Sequence, residues 1–553
     1  MNINEADIER IIQSVLTGVE AAMIDVDLNH KQALERTNQA DSALKTADKK
    51  PAMNGALQFA VKKTIKSKMP VAQKPTSSIN PIKMNVTTHS STNFSHSSIE
   101  TEGVFDSMDK AIDAAFLAQK QYVEAYQLKD RKKIIDAIRE AVMNEKEQLA
   151  KLVYEEIKLG NYEDKIAKHE LVAIHTPGTE DLNTAAYSGD NGLTIVEQAP
   201  FGLIGAVTPV TNPTETIINN TIGMLAGGNA VVFNVHPSSK KACAYVVLLI
   251  NKAIKIAGGP VNLVTMVKEP SLQTIENLIE SPKVKLLVGT GGPGLVKTLL
   301  KSGKKAIGAG AGNPPVIVDE TADLENAAKS IILGASFDNN MLCIAEKEVF
   351  VLEKIADDLI YNMLNHGAYM LDRNQLASLM SFALEENKQQ EAKGCSLDTK
   401  RDYHVSKDWV GKHAKTFLNK IGVTPPADLK LLICEVDFDH PFVQLEQMMP
   451  ILPIVRVKDL EEAIEMAVLA EHGNRHTAVM HSRNIDNLTK FAKAIETTIF
   501  VKNASSLAGV GFGGEGHTTM TIAGPTGEGV TSARTFTRQR RCVLAEGGFR
   551  IIG

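Results

Sequence analysis

Cys343 carries a thiol that could act as a nucleophile in covalent catalysis. It lies between Leu342 and Ile344, just past a helical stretch that ends near Phe337. A cysteine with such apolar neighbours is more often a buried small hydrophobe than a nucleophile. Catalysis would require backbone N–H groups or a nearby charge that favour the thiolate. The local sequence therefore leaves both interpretations open.

A glycine-rich turn, GTGGPG at 289–294, follows an apolar run at 284–288 and leads into a helical stretch. Glycines in this pattern let backbone N–H groups approach a phosphate at a helix N-terminus. Pro293 suits the first turn of that helix. A tight structural turn would explain the same glycines, and no acidic residue placed for a ribose is obvious. The motif alone therefore allows a nucleotide site without establishing one.

The elements that must position these features alternate between strand and helix. Apolar runs predict strands at 202–207, 230–233, 261–267, 284–288 and 315–318. Helical periodicity predicts helices at 108–126, 131–158, 213–225, 238–257, 271–279 and 294–302. This alternation is typical of a parallel sheet that helices cover on both faces. A second unit, with strands at 430–434 and 451–457, repeats the mixture, so we expect an α/β fold with two doubly wound domains.

The composition excludes several classes of protein. Hydrophobic residues make up 43% of the chain and the formal net charge is -5, so no basic excess attracts nucleic acid. The longest apolar runs, such as 242–250, are too short to span a membrane, and the N-terminus lacks the features of a signal peptide. The five cysteines are scattered, without a C-x-x-C pair or a histidine cluster at metal-ligand spacing. We expect a cytoplasmic protein without a metal site, a membrane segment or a nucleic-acid partner.

Residues 1–20 have an amphipathic pattern, because isoleucines, valines and a leucine recur mostly three and four positions apart with polar residues between them. Residues 21–100 form a predicted flexible linker, rich in Lys, Ser, Thr, Asn, Gln, Ala and Pro from about position 29. Such a composition buries too little apolar surface to offset the entropy of ordering. A helix on a tether is the layout of a docking peptide, with an ordinary core helix as the alternative.

Three long segments carry a family resemblance. They are QAPFGLIGAVTPVTNPTET (198–216), SFDNNMLCIAEKE (336–348) and EHGNRHTA (471–478). They resemble the acylating branch of the aldehyde dehydrogenase superfamily, over roughly residues 103–553, and most closely the propionaldehyde dehydrogenases of bacterial microcompartments. The resemblance implies a Rossmann-like NAD-binding domain at 101–318 and a catalytic domain at 319–536. It also implies a small β oligomerisation element, made of a hairpin near 180–199 and the tail 537–553.

The tail near 541–552 itself reads as strand, turn and strand. It is too short to fold alone. We therefore expect it to pair with another segment, such as one from a neighbouring subunit.

The resemblance implies that Cys343 is the nucleophile. In this family the thiolate attacks the aldehyde carbon, hydride transfer to a nicotinamide follows, and a thioester remains. The oxyanion is stabilised by the backbone N–H of the cysteine and by an asparagine side chain, for which Asn212 is the nearest candidate. A count without gaps puts Thr211 in that register instead. His472 is a candidate for proton transfer during thiolysis, and a structural histidine is the alternative.

The acyl acceptor is implied by a missing carboxylate. Hydrolytic members of the superfamily carry an E-L-G-G-K-x-P stretch whose glutamate activates water, and here the comparable stretch is AGAGNPP, with Ala309 in the glutamate position. A thiol ionises near pKa ~8.5, against ~15.7 for water, so it needs less help from a base. We therefore expect coenzyme A, rather than water, to accept the acyl group.

The cofactor is implied by two further positions. Glu446 matches the E-x-x-x-P element whose glutamate bonds the nicotinamide ribose, with a solvated glutamate as the alternative. Asn234 stands where many relatives have a lysine beside the adenosine ribose, and its neutral side chain favours NAD over NADP. The other cofactor-binding candidates are Thr208, Pro209, Val210, His236, Gly289, Gly291, Gly292 and Gly294.

The sequence thus predicts NAD-dependent oxidation of a short-chain aldehyde, with acyl transfer to coenzyme A inside a bacterial microcompartment. Propionaldehyde is the first expectation and acetaldehyde the second, since a methyl group in a pocket discriminates by only ~1–3 kcal/mol. Residues 1–20 would bind a shell protein, and the enzyme would be a homodimer or homotetramer. The alternatives are a hydrolytic aldehyde dehydrogenase and a catalytically silent shell adaptor.

Overall fold

The computed structural model describes residues 103–386 and 403–546. The helix predicted at 1–20, the linker at 21–100 and the last residues of the tail lie outside the described residues. We number the described helices in chain order. They are α1 Met108–Ala125, α2 Leu128–Ile157, α3 Tyr162–His175, α4 Pro213–Ala226, α5 Lys240–Ile256, α6 Leu272–Glu280, α7 Pro293–Leu300, α8 Leu324–Ser336, α9 Glu353–Asn365, α10 Arg373–Ala383, α11 Ala414–Lys420, α12 Pro441–Gln444, α13 Leu460–Ala470 and α14 Ile485–Ile495.

The described strands are numbered in the same way. They are β1 Val104–Phe105, β2 Ala185–Gly189, β3 Gly192–Pro200, β4 Leu203–Val207, β5 Ala230–Asn234, β6 Val264–Val267, β7 Val284–Thr290, β8 Lys305–Ala309, β9 Pro315–Val318, β10 Glu348–Leu352, β11 Ala368–Met370, β12 Leu384–Glu386, β13 Tyr403–Val405, β14 Leu431–Glu435, β15 Ile451–Val457, β16 Thr477–His481, β17 Ile499–Lys502, β18 Ile522–Ala523, β19 Gly529–Val530 and β20 Thr537–Ala545.

The first parallel sheet has the order β1-β6-β5-β4-β7-β8. Every residue of β4 and β5 is buried, as expected for central strands that are covered on both faces. Helices α1 and α6 pack on one face, while α2, α4 and α5 pack together on the other. The carboxyl ends of β4, β5 and β7 therefore open at one edge of the sheet, where ligands bind in folds of this kind.

The second parallel sheet has the order β11-β14-β15-β10-β9-β16-β17. Helices α8 and α9 pack against each other, and α13 lies on β9, β10 and β15. The predicted α/β fold with two doubly wound parallel sheets is confirmed.

Strand β9 corrects one expectation about the domains. The sequence analysis assigned it to the first domain, whereas it pairs with β10 and β16 in the second sheet. Its run of Pro315–Val318 is fully buried, and a buried apolar run has the same appearance in either sheet. Hydrophobicity predicts such a strand but does not specify its partners. The functional division at 318/319 stays a prediction.

A three-stranded antiparallel sheet has the order β2-β3-β20. The apolar pattern predicted strand structure near 541–552; the described strand β20 begins earlier, at Thr537, and pairs with β3 of its own chain. Residues 538–541 are polar and exposed, so hydrophobicity did not mark them as strand. The role of this sheet in oligomerisation stays a prediction. Within the described ranges, no helix combines the length and apolar character needed to cross a membrane.

Candidate active site

Cys343 follows a short run of left-handed backbone. Helix α8 ends at Ser336, and Asp338, Asn339 and Asn340 then take positive φ values of 46°, 54° and 67°. Asparagine and aspartate tolerate this conformation better than other side chains that carry a Cβ. The run turns the chain sharply, so that Cys343 faces a cavity instead of continuing the helix. Unlike Cys243 and Cys434, which are buried, Cys343 is partly exposed.

Side-chain amides hold this turn in place. Asn339 Nδ2 donates to the carbonyls of Gly160 and Gly411, each at 2.9 Å. Asn340 Nδ2 donates to the carbonyls of Ala335 at 2.9 Å and Glu346 at 3.0 Å. Each amide thus joins two separate backbone segments. These contacts offset the cost of the left-handed residues and fix the position of residues 337–343, the cysteine loop.

Lys347 supplies a buried positive charge behind the thiol. Its Nζ lies 2.6 Å from Asn340 Oδ1 and 3.1 Å from the carbonyl of Leu342. Burial, and then the negative charge of Glu446, raises the pKa of the Cys343 thiol to about 12, while Lys347 and nearby backbone N–H groups act in the opposite direction. The thiol of the free enzyme is therefore protonated at neutral pH. Its activation requires a further positive charge or the loss of a negative one.

Asn212 lies between β4 and α4 and occupies the N-cap position of α4. Its side-chain Oδ1 accepts a hydrogen bond from Lys168 Nζ at 2.6 Å, and its Nδ2 lies 3.2 Å from Thr211 Oγ1. Both Asn212 and Thr211 line the cavity that Cys343 also lines. One hydrogen of Asn212 Nδ2 remains for a group bound in that cavity.

Two lysines and two carboxylates form a buried ionic cluster beside Asn212. Lys168 Nζ lies 2.9 Å from Glu215 Oε1 and 2.7 Å from Asp338 Oδ2, and Lys165 Nζ lies 3.2 Å from the same Asp338 oxygen. Burial alone would lower the pKa of Lys168, but the two carboxylates more than offset it and the pKa lies above the usual lysine range. Lys168 is therefore charged at neutral pH. All four side chains are essentially inaccessible to solvent.

The cavity has a volume of about 770 Å³, within the range of nucleotide and cofactor sites. It runs from Cys343 and Asn212 to the glycine-rich turn between β7 and α7. Gly292 is the N-cap of α7 and has no side chain that could cap the first N–H groups of this helix. A Cβ atom placed on Gly292 or Gly294 would meet no atom within 4 Å, so open space lies over the turn. The turn can therefore admit a phosphate close to the backbone.

Asn234 and His236 line the cavity beyond the turn. Asn234 Oδ1 accepts a hydrogen bond from Thr274 Oγ1 at 2.6 Å, which fixes the orientation of its carboxamide. His236 Nδ1 accepts a hydrogen bond from the backbone N–H of Ser238 at 3.2 Å. No lysine or arginine is among the cavity-lining residues at this end, and Glu276 adds a carboxylate.

Glu446 lines the cavity near Cys343 and accepts a hydrogen bond from the backbone N–H of Gly312 at 3.2 Å. Burial raises the pKa of Glu446, and Lys347 lowers it. Among the described residues that line the cavity, only Glu446 and Glu276 are acidic. Ala309 is buried at the end of β8 and carries no titratable group.

Most of the predicted site residues meet at this one cavity. Those that line it are Cys343, Asn212, Thr208, Pro209, Val210, Asn234, His236, Gly291, Gly292, Gly294 and Glu446. Gly289 does not, because it belongs to β7 and a Cβ there would collide with Leu299. Its small size serves the packing of α7 on the sheet, and its role in cofactor contact stays a prediction.

His472 is not among the cavity-lining residues. It is exposed in the turn after α13, where its Nε2 lies 2.9 Å from the carbonyl of Gln444. The histidine that lies behind the cysteine loop is His476, since a Cβ on Gly312 would lie 2.6 Å from the carbonyl of Cys343 and 2.9 Å from His476 Cγ. Burial and the charge of Lys347 lower the pKa of His476 to about 4, so it is neutral at neutral pH. The proton-transfer role of His472 stays a prediction.

Sequence reasoning missed two sets of residues. The first is the set of buried lysines Lys165, Lys168 and Lys347, which in the sequence resemble any solvated lysine. The second is an apolar lining close to the thiol, whose side chains come from separate stretches of the sequence. That lining comprises Leu171, Phe337, Met341, Leu342, Leu507, Val510, Phe512 and Met520. The rings of Phe337 and Phe512 lie 5.3 Å apart, which makes this end of the cavity suited to a small apolar group.

Comparison with known proteins extends this picture. The profile of the Aldehyde dehydrogenase family matches residues 98–537. The acetaldehyde dehydrogenase (acetylating) EutE of Salmonella typhimurium is 48% identical over 457 residues, which cover 82% of this chain and 95% of the relative.

Two solved structures are similar throughout the described fold. A propionaldehyde dehydrogenase from the fucose utilisation bacterial microcompartment of Clostridium phytofermentans is 50% identical, with a TM-score of 0.76. The alignment covers 80% of this chain and 99% of the other. A Rhodopseudomonas palustris propionaldehyde dehydrogenase, solved with bound CoA and an acylated cysteine, is also 50% identical, with a TM-score of 0.76 and coverage of 80% and 98%. The profile match and these relatives lead to one conclusion: the chain belongs to the aldehyde dehydrogenase family.

Proposed function

We propose that this protein oxidises a short-chain aldehyde with NAD and transfers the acyl group from Cys343 to coenzyme A. The observation that carries the proposal is that Cys343, Asn212 and the glycine-rich turn line one continuous cavity. The relatives described as acetylating, or solved with CoA and an acylated cysteine, support the same reaction. The overall change converts an aldehyde, NAD⁺ and coenzyme A thiol into acyl-CoA, NADH and one proton.

Acylation begins at the Cys343 thiolate. Its sulfur attacks the aldehyde carbon and places the carbonyl electrons on oxygen, as a tetrahedral hemithioacetal anion. The backbone N–H of Cys343 and Nδ2 of Asn212 would donate hydrogen bonds to that oxyanion. When the anion collapses, hydride leaves the carbon and a thioester remains on Cys343. The apolar lining beside the thiol excludes water from the thioester.

Thiolysis completes the reaction. Coenzyme A thiolate attacks the thioester carbon, and the second tetrahedral anion expels the Cys343 thiolate. Ala309 cannot activate water, and this favours thiolysis over hydrolysis. A thiol ionises without a strong base, so the reaction does not need the carboxylate that the hydrolytic relatives use.

The residues of the cavity fit a dinucleotide. The open space over Gly292 and Gly294 would admit the pyrophosphate, and Glu446 would accept hydrogen bonds from the nicotinamide ribose. When bound, NAD accepts the hydride. Asn234 is neutral and Glu276 is negative, so a 2′-phosphate would lie beside a carboxylate, and no lysine or arginine is among the described residues that line this end. This end of the cavity therefore favours NAD over NADP.

The substrate we propose is propionaldehyde, with acetaldehyde as the second candidate. The similar proteins are named for these two aldehydes. We further propose that the enzyme works as a homo-oligomer inside a bacterial microcompartment, with residues 1–20 binding a shell protein. One structurally similar enzyme comes from such a compartment. Deletion of residues 1–20 should abolish co-purification with shell proteins and leave activity in solution nearly unchanged. Normal shell entry by the truncated enzyme would refute the targeting role.

The decisive experiment measures NADH formation with C2 to C4 aldehydes, with and without coenzyme A, for the wild type and Cys343→Ala. We expect strong dependence on coenzyme A and near-total loss of turnover in the variant. Equal rates without coenzyme A would indicate a hydrolytic enzyme. Unchanged turnover in Cys343→Ala would refute the assignment of the nucleophile, and absence of turnover in both proteins would favour the shell adaptor.

A further inference from the structure

Lys168 joins the two parts of the oxyanion site. Its Nζ donates to Asn212 Oδ1 at 2.6 Å and lies 2.7 Å from Asp338 Oδ2. Asp338 begins the run of three left-handed residues that precedes Cys343. The third contact is Glu215 Oε1 at 2.9 Å. An ammonium group has three N–H donors, and three oxygens lie within 2.9 Å of this one. Lys168 is only 1% exposed, so no water competes for these contacts.

The contact with Asn212 determines which end of the carboxamide faces the cavity. A flipped carboxamide would place its N–H group against the Lys168 ammonium and its oxygen lone pairs toward the oxyanion. The charge of Lys168 therefore enforces the orientation in which Nδ2 is the free donor. A cation on Oδ1 also withdraws electron density from Nδ2, which strengthens the hydrogen bond that Nδ2 donates.

The contact with Asp338 joins Lys168 to the loop that leads to Cys343. Asp338 Oδ1 accepts from the backbone N–H of Asn161 at 2.7 Å, and the backbone N–H of Asp338 donates to Asp164 at 2.8 Å. The start of the cysteine loop is thus attached to the N-terminal turn of α3, the helix that carries Lys168. A single buried side chain consequently links the backbone donor at Cys343 with the side-chain donor at Asn212.

We propose that Lys168 is a positioning residue for aldehyde oxidation, which holds the carboxamide of Asn212 in register with the cysteine loop for the hemithioacetal oxyanion. The inference rests on the proposed function. Lys165 provides the contrast, because it lies on the same helix and donates to the same Asp338 oxygen, whereas the hydrogen bond to Asn212 comes from Lys168. If the two lysines only stabilised the fold, replacing either one should reduce activity to the same extent.

The test uses two variants of equal charge. Lys168→Met/Glu215→Gln removes one cation and one anion together with the contact to Asn212, whereas Lys165→Met/Glu215→Gln removes the same charges and keeps that contact. With propionaldehyde, NAD and coenzyme A, we expect kcat of the Lys168 variant to fall by about 10²-fold, the loss typical of one oxyanion donor, with little change in KM for NAD. The Lys165 variant should stay within a few-fold of wild type.

A double-mutant cycle with Asn212→Ala decides whether Lys168 acts through Asn212. In the Asn212→Ala background, the Lys168→Met/Glu215→Gln change should cost little more, because the donor is already absent. Full additivity, a normal kcat in the Lys168 variant, or an equal loss in the Lys165 variant would overturn the inference. Circular dichroism melting curves establish that each variant is folded.

Lys168→Gln/Glu215→Gln serves where the methionine variant does not fold, with Lys165→Gln/Glu215→Gln as its partner. The glutamine amide can still donate to Asn212 Oδ1 but carries no charge, so we expect a loss of about tenfold, intermediate between wild type and the methionine variant. A kcat equal to that of its Lys165 partner would overturn the inference. Cys343→Ala separates this result from the proposed function, because retained turnover in that variant would refute the function whatever the Lys168 variants do.

Discussion

Replacement of Glu446 by glutamine should activate the thiol of the free enzyme while it weakens the binding of NAD. Glu446 is one of two carboxylates among the described residues that line the cavity, and after burial it contributes most to raising the pKa of Cys343 to about 12. A neighbouring charge typically moves the pKa of an ionisable group by about 1 to 3. Glu446→Gln removes that charge and retains the acceptor for the Gly312 N–H group. The apparent pKa of the thiol should therefore fall by about one unit or more.

Bound cofactor should also lower the pKa of the Cys343 thiol. The nicotinamide ring of NAD⁺ carries a positive charge, and a positive charge near Cys343 stabilises the thiolate. Saturating NAD⁺ should thus lower the pKa of Cys343 in the wild type. In Glu446→Gln the free enzyme already has part of that shift, but the loss of the ribose contact should raise the Kd for NAD.

The assay is the rate of alkylation of Cys343 by iodoacetamide as a function of pH, followed by mass spectrometry of the Cys343 peptide. Because only the thiolate reacts, a pKa lower by one unit gives an alkylation rate about tenfold higher at any pH below both pKa values. Glu276→Gln is the matched control, since Glu276 lines the same cavity but is not among the groups that shift the pKa of Cys343. An unchanged profile in Glu446→Gln, or an equal change in Glu276→Gln, would refute the reasoning.

Two further predictions concern the cysteine loop. Gly312→Ala should lower kcat about a hundredfold in the NADH assay, because its Cβ would lie 2.6 Å from the carbonyl of Cys343 and displace the cysteine loop. Gly189→Ala is the control: a Cβ there would meet no atom within 4 Å, so its kcat should equal that of the wild type. Burial raises the pKa of Glu346 from 4.5 to about 7, so the folded protein binds more protons in that interval and its free energy of unfolding should fall as pH rises through it. When urea unfolding is measured at several pH values, the free energy of unfolding should depend less on pH in Glu346→Gln than in the wild type. The same pH dependence in both proteins would contradict the raised pKa of Glu346.

The order of elements along the chain was accessible from the sequence. Strands β9 and β15 have the boundaries that apolar runs predict, and α1 and α4 end within one residue of the predicted position. These features depend on the period of hydrophobic residues, which is a local property. The cavity residues were accessible in another way, because long segments resembled a family whose members share them.

The histidines show where local reasoning stops. The sequence offered His472 and His476 in one segment, and nothing local distinguishes them. Burial assigned His476 to the region behind the cysteine loop and left His472 exposed. The glycine-rich turn shows the same limit, since Gly289 has a packing role that its place in the motif concealed.

The sequence by itself determined the family, the nucleophile to test and the absence of a carboxylate at Ala309. Only the tertiary structure decided that β9 belongs to the second sheet, that Lys168 is buried between Asn212 and Asp338, and that Glu446 lies close enough to affect the thiol. The physical reason is that hydrophobic periodicity is encoded over a few neighbouring residues. The charge state of a buried group, in contrast, depends on what distant segments place beside it once water is excluded.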